Sequence, residues 1–210
     1  MKKIFFLFLI IALTVSINGQ QKAVTETGQE VILFEDGSWI YQNKKEALNN
    51  EIPTNSRRFS KNKKSTFLLK SKKFNVGIYL DPKLWSFNTP TDNPEAEYEL
   101  QLKDGDLYGL IITEKVEIPI ETLKVIALEN AKAAAPNMSI VKEEFRNVNG
   151  LKVLLLHMNG TIQGIKFSYY GYYYSNSNGT VQFITYTSQN LLDGFKSKIE
   201  DLLNGIVELN

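Results

Sequence analysis

The sequence predicts an α+β fold in which an antiparallel sheet is sandwiched between two amphipathic helices and preceded by a β-hairpin. Three dipeptides, Asp104-Gly105, Asn149-Gly150 and Asn178-Gly179, each separate runs of apolar or β-branched residues. Such pairs readily take the positive φ angles of a tight hairpin turn. Two other stretches repeat apolar residues at helical spacing. Leu151 to Met158 is apolar at nearly every position, the pattern of a strand covered on both faces. With 210 residues, 43% hydrophobic and 22% charged, the chain has apolar material enough for such a core.

At the N-terminus, Lys2 and Lys3 precede an apolar run from Ile4 to Leu13, followed by Ser16, Asn18 and Gly19. This is the layout of a secretory signal peptide, assigned to residues 1–19 with cleavage after Gly19. The apolar run falls short of the roughly 20 residues that span a bilayer as a helix, which makes an uncleaved anchor the weaker alternative. No cysteine follows it, so a lipid-modified cysteine at the mature N-terminus is excluded. An exported protein meets an oxidising compartment, and a chain with no cysteine must draw its stability there from a core.

Residues 20–42 predict a hairpin. Val31 to Phe34 and Trp39 to Tyr41 flank Asp36-Gly37, and a two-residue loop sets Phe34 opposite Trp39 and Leu33 opposite Ile40. The Ala23-Val24-Thr25 start and the Asp36-Gly37-Ser38-Trp39 turn resemble a short segment near the N-terminus of many exported Bacteroidota proteins. Residues 43–65 turn polar, with Asn, Ser, Lys and Arg around Pro53, and predict a linker. From Arg57 to Lys73 there are eight basic residues and no acidic one, whereas 11 basic and 17 acidic residues follow from Phe74 onward. That contrast suits a tether resting on its own acidic domain. It also suits weak contact of Arg57 to Lys73 with an anionic membrane surface.

The domain is expected over residues 66–210. A strand from Phe74 to Leu80 leads into three hairpins: Ala96–Lys103 with Leu107–Glu114, Ser139–Val148 with Leu151–Met158, and Ile165–Ser175 with Thr180–Thr187. A helix follows Pro119, with Ile120, Leu123, Ala127, Ala131 and Ala134 on one stripe, Glu121 in its first turn and Pro136 as its stop. A second helix carries Leu191, Leu192, Phe195, Ile199, Leu202, Leu203 and Ile206, entered from Ser188 to Asn190.

That order of elements, headed by Asn75 to Leu80 and then Asp81-Pro82-Lys83-Leu84-Trp85, resembles the PsbP-like fold. The resemblance covers Phe74 to Val207. It implies a strand, a proline and a tryptophan at the head of the domain, a long amphipathic helix at its close, and an accessory or binding role, with no catalytic residue to carry across.

The residues themselves exclude much chemistry. One histidine, His157, and no cysteine leave no thiol nucleophile, zinc finger or iron-sulfur centre, and no cofactor is expected. A formal charge of +1 gives no global attraction to nucleic acid, which is not expected as a partner. Asp104-Gly105-Asp106 looks like part of a calcium loop, but the fifth and twelfth positions are Tyr108 and Lys115, so a hairpin turn is the better account. Paired carboxylates for an envelope hydrolase would come from Glu97, Glu99, Glu114, Glu143 and Glu144. Glu97 and Glu99 read as the polar side of a strand, and Glu143 and Glu144 point to opposite faces if extended.

The unusual segment is Phe167 to Tyr174. Alternation places Phe167, Tyr169 and Tyr173 on one face and Tyr170, Tyr172 and Tyr174 on the other, with Tyr174 opposite Phe183 and Tyr173 opposite Ile184. Two arrangements fit: both rows lie beneath helices, or the row Tyr170, Tyr172 and Tyr174 stays open to a partner. Trp85 either lines the same mouth or plugs the end of the sheet. The function expected is that of an exported, non-catalytic accessory or binding protein of the bacterial envelope, periplasmic or secreted, contacting an unidentified protein or envelope ligand. A carboxylate-dependent hydrolase and a membrane-surface protein are the alternatives.

Overall fold

The computed structural model describes residues 21–24, 30–33, 39–41, 52–90 and 95–209. The chain divides into two compact units, Met1–Asn50 and Glu51–Asn210. The expected signal peptide lies outside the described residues. In the first unit β1 (Gln21–Val24), β2 (Glu30–Leu33) and β3 (Trp39–Tyr41) form an antiparallel sheet of three strands. Leu33 pairs with Trp39 and Ile32 with Ile40. The register is therefore one residue away from the expected pairing of Leu33 with Ile40, a change that exchanges faces along a strand. Residues 34–38 separate the last pair, more than a two-residue loop holds, and Phe34 itself lies outside the described residues.

The second unit contains β4 (Thr54–Phe59), β5 (Phe67–Lys70), β6 (Val76–Leu80), β7 (Trp85–Asn88), β8 (Ala96–Leu102), β9 (Tyr108–Glu114), α1 (Ile120–Ala134), β10 (Ser139–Val148), β11 (Leu151–Ile162), β12 (Ile165–Asn176), β13 (Gly179–Ser188), α2 (Gln189–Leu203) and β14 (Ile206–Glu208). Eight strands form one sheet in the order β4-β10-β11-β12-β13-β9-β8-β7, and a smaller sheet has the order β14-β6-β5. The large sheet is mixed rather than purely antiparallel, because β4 runs parallel to β10. This strand lies inside the segment 43–65 that reads as a linker. Its sequence, Thr-Asn-Ser-Arg-Arg-Phe, lacks alternation because it is an edge strand on which only Asn55 and Phe59 are half-buried. Backbone bonds from Phe145 N–H to the Pro53 carbonyl and from Asn149 N–H to the Phe59 carbonyl hold it in place, and its arginines suit an edge that must not recruit further strands.

Turn chemistry explains the hairpins. Asn149 and Gly150 have φ of 50° and 89°, so Val148 faces Leu151 across a two-residue loop. Gln163 and Gly164, at 50° and 84°, make a further hairpin between β11 and β12. In the β12–β13 hairpin Asn176 pairs with Gly179. Its loop is therefore Ser177-Asn178, begun by a bond from Asn178 N–H to the Asn176 side chain. Consequently Tyr174 faces Val181 and Tyr173 faces Gln182, two residues away from the expected partners Phe183 and Ile184.

Two cores lie on opposite faces of the large sheet. On one face Val153, Leu155, Tyr170, Tyr172 and Phe183 pack with Ile199, Leu202 and Leu203 of α2 and with Ile78 and Leu80 of the small sheet. On the other, Leu154, Leu156 and Tyr173 pack with Leu123 and Ala127 of α1. Ile206, expected at the end of the second helix, instead pairs with Ile78 in β14. The helix stops because Gly205 lets the chain turn closely enough for its carbonyl to accept the Tyr79 N–H at 2.8 Å.

Candidate functional site

Alternation along β10 sends Glu144, Arg146 and Val148 toward α2, and Glu143 and Phe145 toward α1. Arg146 is 5% exposed. Its Nε donates to Glu144 at 2.6 Å, its Nη1 to Glu200 at 2.7 Å and to the Tyr172 hydroxyl at 2.9 Å, and its Nη2 to the Tyr170 hydroxyl at 3.3 Å. Tyr170 donates to Glu200 at 2.7 Å and Tyr172 to the side chain of Asn204 at 2.8 Å. Phe59 caps the guanidinium, 4.5 Å from its ring centre. Burial works against the Arg146 charge, but Tyr172, Tyr170 and Glu144 outweigh it and hold the guanidinium charged. Burial likewise pushes the Glu144 carboxyl up, yet hydrogen bonds from Arg146, Asn55 and Lys142 bring it below the usual value. This network joins the sheet to α2 and leaves its charges matched. Arg146 and Glu200 escape a reading by motif because they are 54 residues apart; the signal for Arg146 was a cation alternating with Val148 on a buried strand.

Tyr170 and Tyr172 are 1% and 0% exposed beneath α2. A partner cannot reach them there, so of the two arrangements open to this row it is the covered one that the structure adopts. Tyr174 is half-buried and accepts from Asn176 at 3.0 Å. Trp85 is 3% exposed within the same core, so it plugs the sheet end, and its backbone N–H donates to the Asp81 carbonyl.

The aromatic surface that does stay partly open is the other row. Helix α1 meets chiefly β10, β11 and β12. Tyr108, Leu110, Ile112, Phe167, Tyr169, Ile184 and Tyr186 are all half-buried on the α1 side. Tyr186 stacks on Tyr108 at 5.4 Å and meets Tyr169 edge-on at 6.0 Å and Phe167 at 6.3 Å. Burial, with the Glu99 charge behind it, pushes the Tyr186 phenol up to about 12. Next to this array a cavity of about 200 Å³ lies between α1 and the sheet, lined among others by Ile112, Ala127, Ala131, Tyr169, Tyr173 and Gln182. It exists because the facing residues of α1 are alanines here, whereas Leu123, earlier on the helix, fills the space against Leu154.

Two of the candidate carboxylates have structural partners. Glu143 pairs with Lys124 of α1 at 2.6 Å, and Glu97, expected on the polar side of its strand, is 7% exposed and accepts from Ser71 at 2.7 Å and from the Thr113 hydroxyl. The register shift between Ala96 and Tyr98 turns it inward. His157 lies 5.5 Å from the Tyr170 ring, and burial, aided by Lys196 and Lys142, depresses its imidazole. No group of three or more His, Cys, Asp or Glu among the described residues is arranged to hold a metal ion. None of the eight basic residues from Arg57 to Lys73 pairs with a carboxylate among the described residues. No described helix is long and apolar enough to cross a membrane.

No family model and no curated protein matches the chain. Among solved structures, it is similar to the cyanobacterial PsbP, CyanoP, from Synechocystis sp. PCC 6803, at 14% identity over 70% of this chain and 94% of that one, with a TM-score of 0.52. A protein of unknown function from Pseudomonas aeruginosa, PA94, matches at 12% identity over 69% of this chain and 97% of that one, with a TM-score of 0.45. LpqN from Mycobacterium tuberculosis matches at 10% identity over 76% and 83%, with a TM-score of 0.34. The first of these shows the fold to be PsbP-like.

Proposed function

We propose that this PsbP-like chain is an exported, non-catalytic accessory protein of the bacterial cell envelope that acts by binding a protein or envelope ligand. The half-exposed array of Tyr108, Tyr186, Tyr169 and Phe167 carries this reading. Tyrosine joins a large contact area to a polar tip and suits the centre of a recognition surface. Three of the five carboxylates weighed for hydrolysis are committed elsewhere, Glu143 to Lys124, Glu144 to Arg146 and Glu97 to hydroxyl groups. Export rests on the N-terminal sequence. In producing cells, cross-linking followed by mass spectrometry should recover a partner with the native chain and lose it with Tyr108→Ser/Tyr186→Ser at unchanged melting temperature. Equal capture by both would remove this surface from the proposal.

A second reading, contact with anionic lipid, is favoured by the eight basic residues, which have no acidic partner among the described residues, and by Phe67 and Phe87. These two are each 40% exposed and 5.3 Å apart between ring centres. Sedimentation with vesicles containing phosphatidylglycerol should show binding that falls as salt rises, and binding indifferent to salt would end it.

A further inference from the structure

Two polar side chains, Gln182 and Tyr173, line the cavity beside α1. Gln182 is 7% exposed and Tyr173 0% exposed. Both polar groups open onto the cavity, where they can bond to whatever occupies it. The rest of the lining is mainly apolar, with Leu110, Ile112, Ala131, Met158 and Ile184. Among the described residues no lysine, arginine or histidine lines it. This composition disfavours an anion and suits a neutral body with one polar substituent.

Size narrows the class. A dry cavity of about 150 Å³ accommodates benzene, and sites for drug-sized ligands begin at about 300 Å³. At about 200 Å³ the space between α1 and the sheet falls between these limits. We propose that it is a binding site for one small neutral molecule with a flat apolar body of one or two rings and a hydroxyl or amine, which meets Gln182 and Tyr173. This rests on the binding reading of the α1 side and names a ligand class for it.

The probe is 1-naphthol, with 1-naphthoate as its anionic counterpart on the same rings, each titrated calorimetrically into the mature chain. Saturable binding of 1-naphthol, at least about tenfold tighter than 1-naphthoate, is expected. Two variants keep the test independent of folding. Gln182→Leu removes the amide at nearly constant volume, so its melting temperature holds or rises while 1-naphthol binding weakens about tenfold or more. Asn130→Trp, at an exposed position on the cavity lining, obstructs entry without entering the core. No saturable binding of 1-naphthol would overturn the proposal and leave water as the partner of these groups. Unchanged binding by both folded variants, or equal affinity for the anion, would overturn it too. Loss of the cellular partner by Tyr108→Ser/Tyr186→Ser with 1-naphthol binding retained separates this site from the accessory surface.

Discussion

Arg146 on β10 and Glu200 on α2 meet at 2.7 Å beneath the helix, the arginine 5% exposed. The same guanidinium holds Glu144 at 2.6 Å, so one buried cation bridges two carboxylates and ties the helix to the strand. Arg146→Met keeps the stem and removes the charge, leaving Glu200 without its ion pair and Glu144 with only Lys142 and Asn55. A loss of about 3–5 kcal/mol is expected by urea denaturation. Adding Glu144→Leu and Glu200→Leu should recover most of it, because an apolar replacement of a whole buried ion cluster is commonly neutral or stabilising. A triple variant no more stable than Arg146→Met would show that packing, not charge, sets the cost.

Tyr170 and Tyr172 should behave as core residues. Each fills space under α2, and truncating either to Ser should cost about 3–5 kcal/mol, with the Arg146 network disrupted as well. Tyr174→Ser, at a half-buried position, should cost less than either. Circular dichroism melts of the three single variants check the ranking. A partner lost on changing all three at once would therefore report unfolding and not a broken contact.

Stability should fall on acidification before the carboxylates titrate. Burial depresses the His157 imidazole, Lys196 and Lys142 act the same way, and a hydrogen bond donated to Asn159 and the charge of Asp193 oppose them. The unfolded chain protonates this group near its ordinary pKa of about 6.5, the folded chain only below that. The contribution is thus complete above about pH 6.5 and is lost as pH falls from there to the folded value. Glu144, also depressed, adds a loss only at lower pH, below the ordinary carboxylate range. Urea midpoints should drop between pH about 7.5 and about 5.5, and the drop should shrink in His157→Gln. An equal drop in that variant would assign the effect to other groups.

Two glycines should respond oppositely to alanine. Gly194 sits within α2 with nothing within 4 Å of an added Cβ, so Gly194→Ala should stabilise by about 1 kcal/mol. At Gly205 the added carbon would collide with the Tyr79 carbonyl, and Gly205→Ala should destabilise by about 3 kcal/mol or more as β14 is pushed from β6. Chemical denaturation of both variants decides the signs.

The parts of the fold set by local chemistry were readable. Asn149-Gly150 marks its turn because both residues need positive φ, and the α1 stripe after Pro119 ends close to where the structure ends it. Weak local signals failed. Gln163-Gly164 forms the same kind of turn without an asparagine or aspartate to announce it. Strand β4 is polar because an edge strand needs little burial, and the Asx turn at Asn176 displaced a loop that the Asn-Gly pair alone places one residue later.

For the candidate site, the sequence by itself determined that β12 would carry two aromatic rows on opposite faces, since side chains of a strand alternate. It also determined which residues could not support thiol or histidine-pair chemistry, since they are absent from the chain. Only the tertiary structure decided which row is covered. Helix α2 brings Glu200 and Asn204 over Tyr170 and Tyr172, while the alanines of α1 leave Tyr173 and Gln182 facing a cavity. Alternation fixes a face from neighbours one bond away, whereas cover depends on where a helix distant in sequence comes to rest and on how far its side chains reach.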